Sequence, residues 1–245
     1  ERQFSIRSLG RNLELSFESQ EGKVYDILAS SDPVNEGDPA SWRVWQANIT
    51  ATAPVNVEIF PRPAEETLFM VIVERDAPPL FLEDFESGPN GWTAGSNNAN
   101  QETVWQLGLP AAGTGPSTGA DRSTRAFTTN LGNYGDNADI FLRSPAIDLT
   151  RRNFTRATFM MDHYRDADGL GDLFGIRVLR ARDGSILANI DPDPSVFDAD
   201  WGPLSEDLSR VALGEEIILE FWFTSDASGD SFSGWSIDNV AIDAR

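Results

Sequence analysis

The chain has 245 residues, of which 40% are hydrophobic and 10% aromatic, a composition typical of globular domains. It carries 39 acidic against 19 basic residues, a formal net charge of -20, and only one of the basic residues, Lys23, is a lysine. This balance excludes nucleic acids and anionic membrane surfaces as partners, since both are bound through Lys and Arg. It leaves cations, neutral glycans or a basic protein.

Cysteine is absent, which removes disulfides, thiolate metal sites and cysteine nucleophiles. No apolar run reaches the length of a membrane helix, and no signal peptide is visible at Glu1. The chain begins with charged residues, as a processed piece of a longer protein would. We therefore expect a secreted or cell-surface protein without membrane insertion, in which calcium takes the place of disulfides as the stabilising device.

The first part of the chain, residues 1–78, consists of short alternating segments without helical periodicity. Thr67–Val73 is apolar on both faces, which predicts a central or doubly covered strand. Six or so strands in this length predict a small immunoglobulin-like or fibronectin-III-like β-sandwich. The other strand segments are Leu13–Phe17, Tyr25–Ala29, Trp42–Ile49 and Val55–Phe60.

Pro78-Pro79 marks a linker, after which residues 79–245 have loops rich in Asn, Gly, Asp, Ser and Thr between strands. Arg182–Ser185 is a hairpin turn signal, and Ser205–Leu213 has room for one helical turn. Nine strand segments without a convincing helix predict a jelly-roll β-sandwich, so the fold class is all-β throughout. The segments are Val104–Leu107, Arg125–Asn130, Ala138–Leu142, Arg156–Tyr164, Leu173–Arg180, Ser185–Ile190, Trp201–Leu208, Glu216–Thr224 and Ser236–Asp243.

Both parts resemble known modules. The strand pair Leu13–Phe17 and Lys23–Ile27, followed by a Ser-Asp loop and a Trp, is similar to β-sandwich spacers of large secreted bacterial proteins. The second part resembles MAM-type jelly rolls and their bacterial relatives. These are the cleaved-adhesin domains of gingipain-type proteases, the C-terminal domains of immune-inhibitor-A-like peptidases, and choice-of-anchor J modules. The blocks that carry the resemblance are Asp84-Phe85-Glu86, Gly91-Trp92, Asn137-Ala138-Asp139, Ser144–Leu149 and Gly234–Val240.

A calcium site is predicted where the second part begins and ends. Alternation in Leu82–Glu86 places Asp84 and Glu86 on one strand face, and Asp238 has the parity of its apolar neighbour Val240, so its carboxylate would point inward. An unpaired carboxylate there is costly, which favours a cation against it. The resemblance implies Glu86 and Asp238 as metal ligands and Asp139 as a further one. The alternative is that the first two acids are solvated and Asp238 is hydrogen-bonded to backbone.

Other candidates for chemistry are weaker. Asp166–Asp172 resembles a calcium loop without EF-hand spacing, and a polar hairpin tip explains it as well. His163 is the only histidine, and no Gly-x-Ser-x-Gly elbow surrounds a serine. We therefore predict no catalytic residues and no enzyme activity.

Glycan binding needs exposed aromatic faces. Trp105 and Trp201 border polar loops and are the candidate platforms, while Trp92, Trp222 and Trp235 are predicted to be packing residues. The function favoured is a non-catalytic adhesion or carbohydrate-binding accessory region of a larger secreted bacterial protein. Its partner would be a glycan or an extracellular protein. The alternatives are a structural subunit that self-assembles into a surface layer or filament, and accessory domains of a secreted peptidase or glycosidase.

Overall fold

The computed structural model describes residues 4–64, 68–99, 102–229 and 232–245. Contacts between Cα atoms divide the chain into two units, Glu1–Pro78 and Pro79–Arg245. Both units are built from β-sheets, and the α-helices among the described residues are two single turns, Pro33–Glu36 (α1) and Ser209–Ala212 (α2). This confirms the all-β fold class and the single helical turn predicted after Ser205. Neither helix is long and apolar enough to cross a membrane.

The first unit is a sandwich of two three-stranded sheets, with orders β1-β2-β5 and β4-β3-β6. Its interior is built from alternate residues of the two central strands: Phe17 of one contacts Tyr25 of the other edge-to-face, with ring centroids 5.1 Å apart. Leu15 and Ile27 are fully buried beside them. The strands are β1 Phe4–Leu9, β2 Asn12–Glu18, β3 Lys23–Ser30, β4 Arg43–Thr50, β5 Val55–Pro61 and β6 Phe69–Asp76.

The prediction that Thr67–Val73 forms a central or doubly covered strand is wrong for its described part; Thr67 itself lies outside the described residues. The strand β6 begins at Phe69 and pairs with β3 along one side only, so among the described residues it is an edge strand. Its apolar residues from Met70 to Val73 are only partly buried. An apolar run on both faces signals burial only when neighbouring elements cover both faces, and sequence alone does not reveal that.

The second unit stacks two larger sheets. The first has the order β16-β13-β18-β10-β9, with β7 also paired to β18. The central strand of this sheet, β18, is buried at every position except Asn239 and Ala244. Its strands are β7 Phe81–Glu83, β9 Trp105–Gly108, β10 Ala126–Thr129, β13 Ala157–Asp166, β16 Gly202–Asp207 and β18 Gly234–Ala244.

The other sheet has the order β15-β14-β17-β11-β8, with β12 also paired to β17. Aromatic side chains fill the space between the sheets, and Trp235 stacks on Phe174 with ring centroids 4.8 Å apart and contacts Phe221 at 5.8 Å. Removing these rings from water is the main stabilising term of the fold. The strands are β8 Thr93–Ser96, β11 Asp139–Arg143, β12 Ile147–Asp148, β14 Leu173–Arg180, β15 Ile186–Ile190 and β17 Glu216–Thr224.

All nine strands predicted for the second part are present, with ends that differ from the predicted ones by at most two residues. The hairpin between β14 and β15 turns at Gly184, whose φ is +70°. The strands that the sequence did not indicate are β1, β8 and β12; Thr-Ala-Gly-Ser in β8 has little β propensity, and β12 has two residues.

Candidate functional site

The opening strand of the second unit ends earlier than alternation predicted. Strand β7 stops at Glu83, and Phe85 adopts a left-handed backbone with φ of +58°. Phe85 is fully buried between Trp92 and Phe127, at centroid distances of 5.2 Å and 5.0 Å. Its packing therefore supports a conformation that is costly for a non-glycine residue. This bend, and not a regular strand, sets the direction of Glu86.

The carboxylate of Glu86 points at the loop formed by residues 119–125. Its Oε1 accepts hydrogen bonds from the backbone N–H groups of Thr124 (3.0 Å) and Arg125 (2.7 Å), and its Oε2 accepts one from the Thr124 hydroxyl. The Thr124 hydroxyl, followed by these backbone N–H groups, lowers the pKa of Glu86. The group is therefore an anion held in place at neutral pH.

Asp238 approaches the same loop from the last strand. Its Oδ2 accepts hydrogen bonds from the backbone N–H of Ala120 (2.9 Å) and the hydroxyl of Ser123 (3.0 Å). The residue is 0% exposed, and burial raises the pKa of its carboxyl to about 6. The neighbouring acid Asp162, opposite Asp238 in the β13–β18 register, raises this pKa further.

Asp238 is buried, but the prediction that it points inward because it shares the parity of Val240 is wrong. Trp235 and Ile237 face the core at odd positions, but Val240 and Ile242 face it at even ones. A β-bulge causes this change of parity: Asn239 has a φ of +49°, and the register with β13 shifts between Met160 and Asp162. Asp238 lies on the face opposite Ile237 and is covered by the loop 119–125, not by the apolar core.

The loop 119–125 is shaped to fit between these two carboxylates. A Cβ at Gly119 would lie 2.7 Å from Oδ2 of Asp238, so only glycine fits there. Asp121 and Arg122 both have left-handed φ angles, +51° and +67°. Glu86, Asp238 and the hydroxyl groups of Ser123 and Thr124 bring oxygen atoms to this loop, and oxygen is the ligand type that Ca²⁺ prefers. In the structure the loop donates N–H and O–H hydrogen bonds to both carboxylates.

The structure does not bring the other two predicted ligands to this loop. Asp84 is exposed, and its Oδ1 accepts from the backbone N–H of Glu86 (3.1 Å), so it stabilises the turn. Asp139 begins β11 in the opposite sheet, where its Oδ1 accepts from Asn97 Nδ2 (2.9 Å). Glu86 and Asp238 are thus the two of the four predicted ligands that accept hydrogen bonds from the loop 119–125, and the ligand set itself stays a prediction.

Two further acids, Glu83 and Asp162, lie beside this site but were not predicted as site residues from the sequence. Glu83 is 6% exposed, and its Oε1 accepts from the backbone N–H of Phe85 (2.9 Å) and from Asn90 Nδ2 (3.1 Å), which holds the bend after β7. Asp162 accepts from Asn239 Nδ2 (2.8 Å) beside Asp238. Neither acid has a sequence signal of its own, because a bulge and a bend determine both positions.

Part of the second acidic segment does form a cluster. Carboxylate oxygens of Asp168, Asp172 and Asp226 lie within 4.8 Å of one another. Each has partners within the chain: for example, Asp172 accepts from the Tyr134 hydroxyl and from the backbone N–H of Asp226 (2.9 Å). These bonds agree with the polar-turn interpretation of this segment.

The two tryptophans predicted as glycan platforms differ in exposure. Trp105 is 4% exposed and packs edge-to-face on Trp235 at 5.9 Å, so the prediction that it is an exposed platform is wrong. Trp201 is half-buried: its Nε1 donates to the carbonyl of Thr118 (3.1 Å), and its ring contacts Tyr164 at 6.2 Å. Of these two tryptophans, only Trp201 keeps a partly open aromatic surface.

A second aromatic surface lies on the outer face of the sheet with the strand order β15-β14-β17-β11-β8. We call it the aromatic–arginine face: Phe141, Arg143, Arg177, Glu220 and Trp222. Its two rings stand opposite each other in the β11–β17 register, and Arg143 stands opposite Glu220. The prediction that Trp222 is a packing residue is therefore wrong, because its ring lies on the outside of the sheet and is only partly buried.

Glycines allow both rings to lie flat on the sheet. Gly95 is opposite Phe141, and a Cβ there would collide with the Phe141 ring. Gly175 is opposite Trp222, and a Cβ there would lie 2.9 Å from Cζ2 of the indole. Both rings can therefore lie close to the sheet backbone, with the guanidinium groups of Arg143 and Arg177 over them.

A buried glutamate holds the arginines of this face. Glu220 is 4% exposed and binds Arg143 through Oε2 (2.6 Å) and Arg177 through Oε1 (2.7 Å). The Arg143 guanidinium lies 4.4 Å from the centroid of Phe141, and that of Arg177 lies 5.2 Å from Trp222. Both arginine side chains remain partly exposed, so fixed N–H donors and aromatic edges face solvent together.

His163 lies inside the sheet and not at a cleft. It is 5% exposed, its Nδ1 has no hydrogen-bond partner, and burial, followed by the charge of Arg165, lowers its pKa to about 4. An imidazole in this position stays neutral at pH 7.

This burial predicts a pH-dependent loss of stability. Because the folded pKa of His163 lies below its unfolded value of 6.5, protonation favours the unfolded chain, and stability falls as pH drops through 6.5 towards 4. We expect His163→Phe to remove about 2 kcal/mol of the loss between about pH 7 and about pH 5. Asp238 titrates in the same range with the opposite sign, so the measured quantity is the difference in denaturant-unfolding free energy between wild type and variant at each pH. Equal pH slopes for the two proteins would contradict this assignment.

Comparison with known proteins gives similarities of limited extent. No protein-family model matches the chain. Bacillopeptidase F of Bacillus subtilis (strain 168) is 40% identical over 68 residues, which is 27% of this chain and only 4% of the length of that protein.

Solved structures are similar in fold only. The K3 cleaved adhesin domain of Lys-gingipain from Porphyromonas gingivalis W83 matches with a TM-score of 0.44 and 14% identity, over 67% of this chain and 97% of that one. TmCBM61 in complex with β-1,4-galactotriose matches with a TM-score of 0.43 and 13% identity, over 66% and 95% of the two chains. At these values the similarity carries no information about ligand or activity.

Proposed function

We propose that residues 79–245 form a non-catalytic carbohydrate-binding domain in the accessory region of a larger secreted protein. The observation that carries this proposal is the aromatic–arginine face, where two guanidinium groups, each lying over an aromatic ring and fixed by Glu220, are partly exposed together with these rings on one sheet. Ligand sites combine aromatic side chains with a few precisely placed polar groups, and this face offers both.

Stabilisation by calcium is part of the proposal. Glu86 and Asp238 would supply the carboxylates, and the loop 119–125 would supply the remaining oxygens. An ion there would neutralise a buried acid whose charged neighbour is another acid. In a chain without cysteine, it would also join the first strand of the unit, this loop and the last strand.

The parent protein is proposed to be extracellular. The net charge of -20 and the absence of cysteine suit such an environment, and the short similarity to bacillopeptidase F favours a secreted peptidase as its context. In that arrangement the domain would hold the parent protein on a glycan surface.

Binding to soluble polysaccharides, measured by affinity electrophoresis, tests the glycan proposal. We expect Trp222→Ala to weaken binding at least ~10-fold, because hot-spot aromatics contribute about 2 kcal/mol or more. Trp201→Ala serves as the matched comparison, since it removes the other partly exposed tryptophan. Loss of binding in Trp201→Ala alone would place the site at that loop, and no retardation of the wild-type chain by any polysaccharide would refute the proposal.

A further inference from the structure

The turn that follows the bend after β7 contains the one Asn-Gly pair of the sequence, Asn90-Gly91. Both residues have left-handed φ angles, +39° and +87°, and the Trp92 N–H donates to the Pro89 carbonyl (2.6 Å). This is the geometry of a type I′ turn, for which Asn-Gly is a favoured pair. Both residues are exposed, so solvent reaches the turn.

An asparagine followed by glycine can lose its side-chain amide without an enzyme. The backbone nitrogen of the glycine attacks the asparagine Cγ, a C–N bond forms, and the bond from Cγ to Nδ2 breaks. The Nδ2 group leaves as ammonia and takes the proton of the attacking N–H, which leaves a five-membered succinimide. Water opens this ring at either carbonyl and yields aspartate or isoaspartate, so the net change exchanges ammonia for water. Glycine favours the attack because it has no Cβ to hinder the nitrogen.

Among the described residues, no acceptor binds the N–H of Gly91, which is the attacking group. Two other asparagines with left-handed backbones show the opposite arrangement. The N–H that follows Asn130 donates to Gln106 Oε1 (2.7 Å), and the N–H that follows Asn137 donates to Ser225 Oγ (2.9 Å). In both cases the next residue also carries a side chain. Backbone type alone therefore does not distinguish Asn90, but its free and unhindered neighbouring N–H does.

We propose that Asn90 is a site of spontaneous deamidation and that its products loosen the bend after β7. In the unmodified chain, Nδ2 of Asn90 donates to Oε1 of Glu83 (3.1 Å), an acid that is only 6% exposed. The same oxygen accepts from the backbone N–H of Phe85, so Glu83 holds the bend and the turn together. Aspartate at position 90 would remove one donor and bring a second negative charge to a nearly buried carboxylate.

Isoaspartate has a further effect, because the backbone then runs through the former side chain and gains one carbon atom. The added atom lengthens the segment between Pro89 and Trp92, whose carbonyl and N–H close the turn. Trp92 is 6% exposed, and its ring packs edge-to-face on Phe85 with centroids 5.2 Å apart. A change at this exposed turn therefore reaches the core. It does not involve the aromatic–arginine face, so the inference is independent of carbohydrate binding.

Peptide mass mapping of the folded full chain, incubated at mildly alkaline pH, tests the modification. We expect a gain of about 1 Da, the difference between an amide and a carboxylic acid, which fragmentation assigns to Asn90. Asn130 and Asn137 should stay unchanged in the same sample. The chain unfolded in urea is the positive control for the chemistry. An Asn90 that converts in urea but stays intact in the folded chain would overturn the proposal, as would conversion of Asn130 or Asn137 at an equal rate in the folded chain.

Variants at position 90 test the effect on the bend. Asn90→Asp supplies one product directly, and we expect the melting temperature of the second unit to fall by roughly 5 °C, because a hydrogen bond is lost and Glu83 repels the new charge. The matched control Asn90→Gly loses the same hydrogen bond without adding charge, and Gly-Gly also suits a type I′ turn, so its fall should be smaller. Scanning calorimetry in EDTA measures both. A melting temperature of Asn90→Asp equal to that of the wild type would overturn the proposed loosening, and an equal fall in both variants would overturn the contact between like charges.

Discussion

Calcium at 1,000 times its dissociation constant is expected to raise the melting temperature of the second unit by roughly 10 °C relative to EDTA. A ligand at this concentration contributes about 4 kcal/mol, and a domain of this size gains about 2–4 °C per kcal/mol. The ion would bind Glu86, in the bend after β7, and Asp238, in β18. Both acids accept hydrogen bonds from the loop 119–125. Differential scanning calorimetry with and without EDTA measures the shift.

Variants locate the ion. Asp238→Asn should abolish the calcium-dependent shift, because it removes the buried carboxylate. Asp139→Asn is the matched control: the family resemblance implies this acid as a ligand, but it lies in the opposite sheet beside Asn97, so the shift should persist. A wild-type melting temperature that is identical with calcium and with EDTA would refute the site. A shift lost in Asp139→Asn but kept in Asp238→Asn would place the ion elsewhere.

Trp105→Ala is expected to destabilise the second unit by about 3–5 kcal/mol, the usual cost of truncating a large buried aromatic residue. Trp105 is 4% exposed and packs on Trp235, which in turn stacks on Phe174. Denaturant unfolding followed by circular dichroism measures the change. Trp105 was predicted from the sequence to bind ligand. Because it is a core residue, any loss of ligand binding in this variant would follow from unfolding and not from the removal of a ligand contact.

Trp201→Ala provides the comparison for this measurement. Trp201 is half-buried and contributes one hydrogen bond to the Thr118 carbonyl and an edge contact with Tyr164. We expect a cost of about 1 kcal/mol from these interactions. If Trp105→Ala cost no more than Trp201→Ala, the placement of Trp105 in the core would be wrong.

Local pattern determined much of the architecture. Alternation and turn residues predict the strands Leu173–Arg180 and Glu216–Thr224 with the bounds that the structure has. The absence of helical periodicity predicts the all-β class. These features depend on neighbours in sequence, because the side-chain period and the turn chemistry are properties of short segments.

The acid pair of the candidate cation site was also visible in the sequence, although the reason given for it was not correct. Glu86 and Asp238, the two acids that the family resemblance pairs as ligands, both accept hydrogen bonds from the loop 119–125. Asp238 reaches it because the bulge at Asn239 reverses the parity of β18, and Glu86 because Phe85 bends the chain after β7. A bulge depends on the pairing of two strands, so one strand read alone does not predict it.

The surfaces were decided by tertiary structure alone. Trp105 and Trp222 are both tryptophans at β positions, yet one is in the core and the other lies on the aromatic–arginine face. The apolar strand β6 is an edge strand: among the described residues it pairs with β3 on one side and with no strand on the other. Exposure is a property of what packs against a residue, and that is fixed only when distant strands come together. In the stretch Leu82–Trp92, near the start of the second unit, the local residues specify a bend and a buried ring, while the fold supplies the loop whose Thr124 and Arg125 donate hydrogen bonds to Glu86.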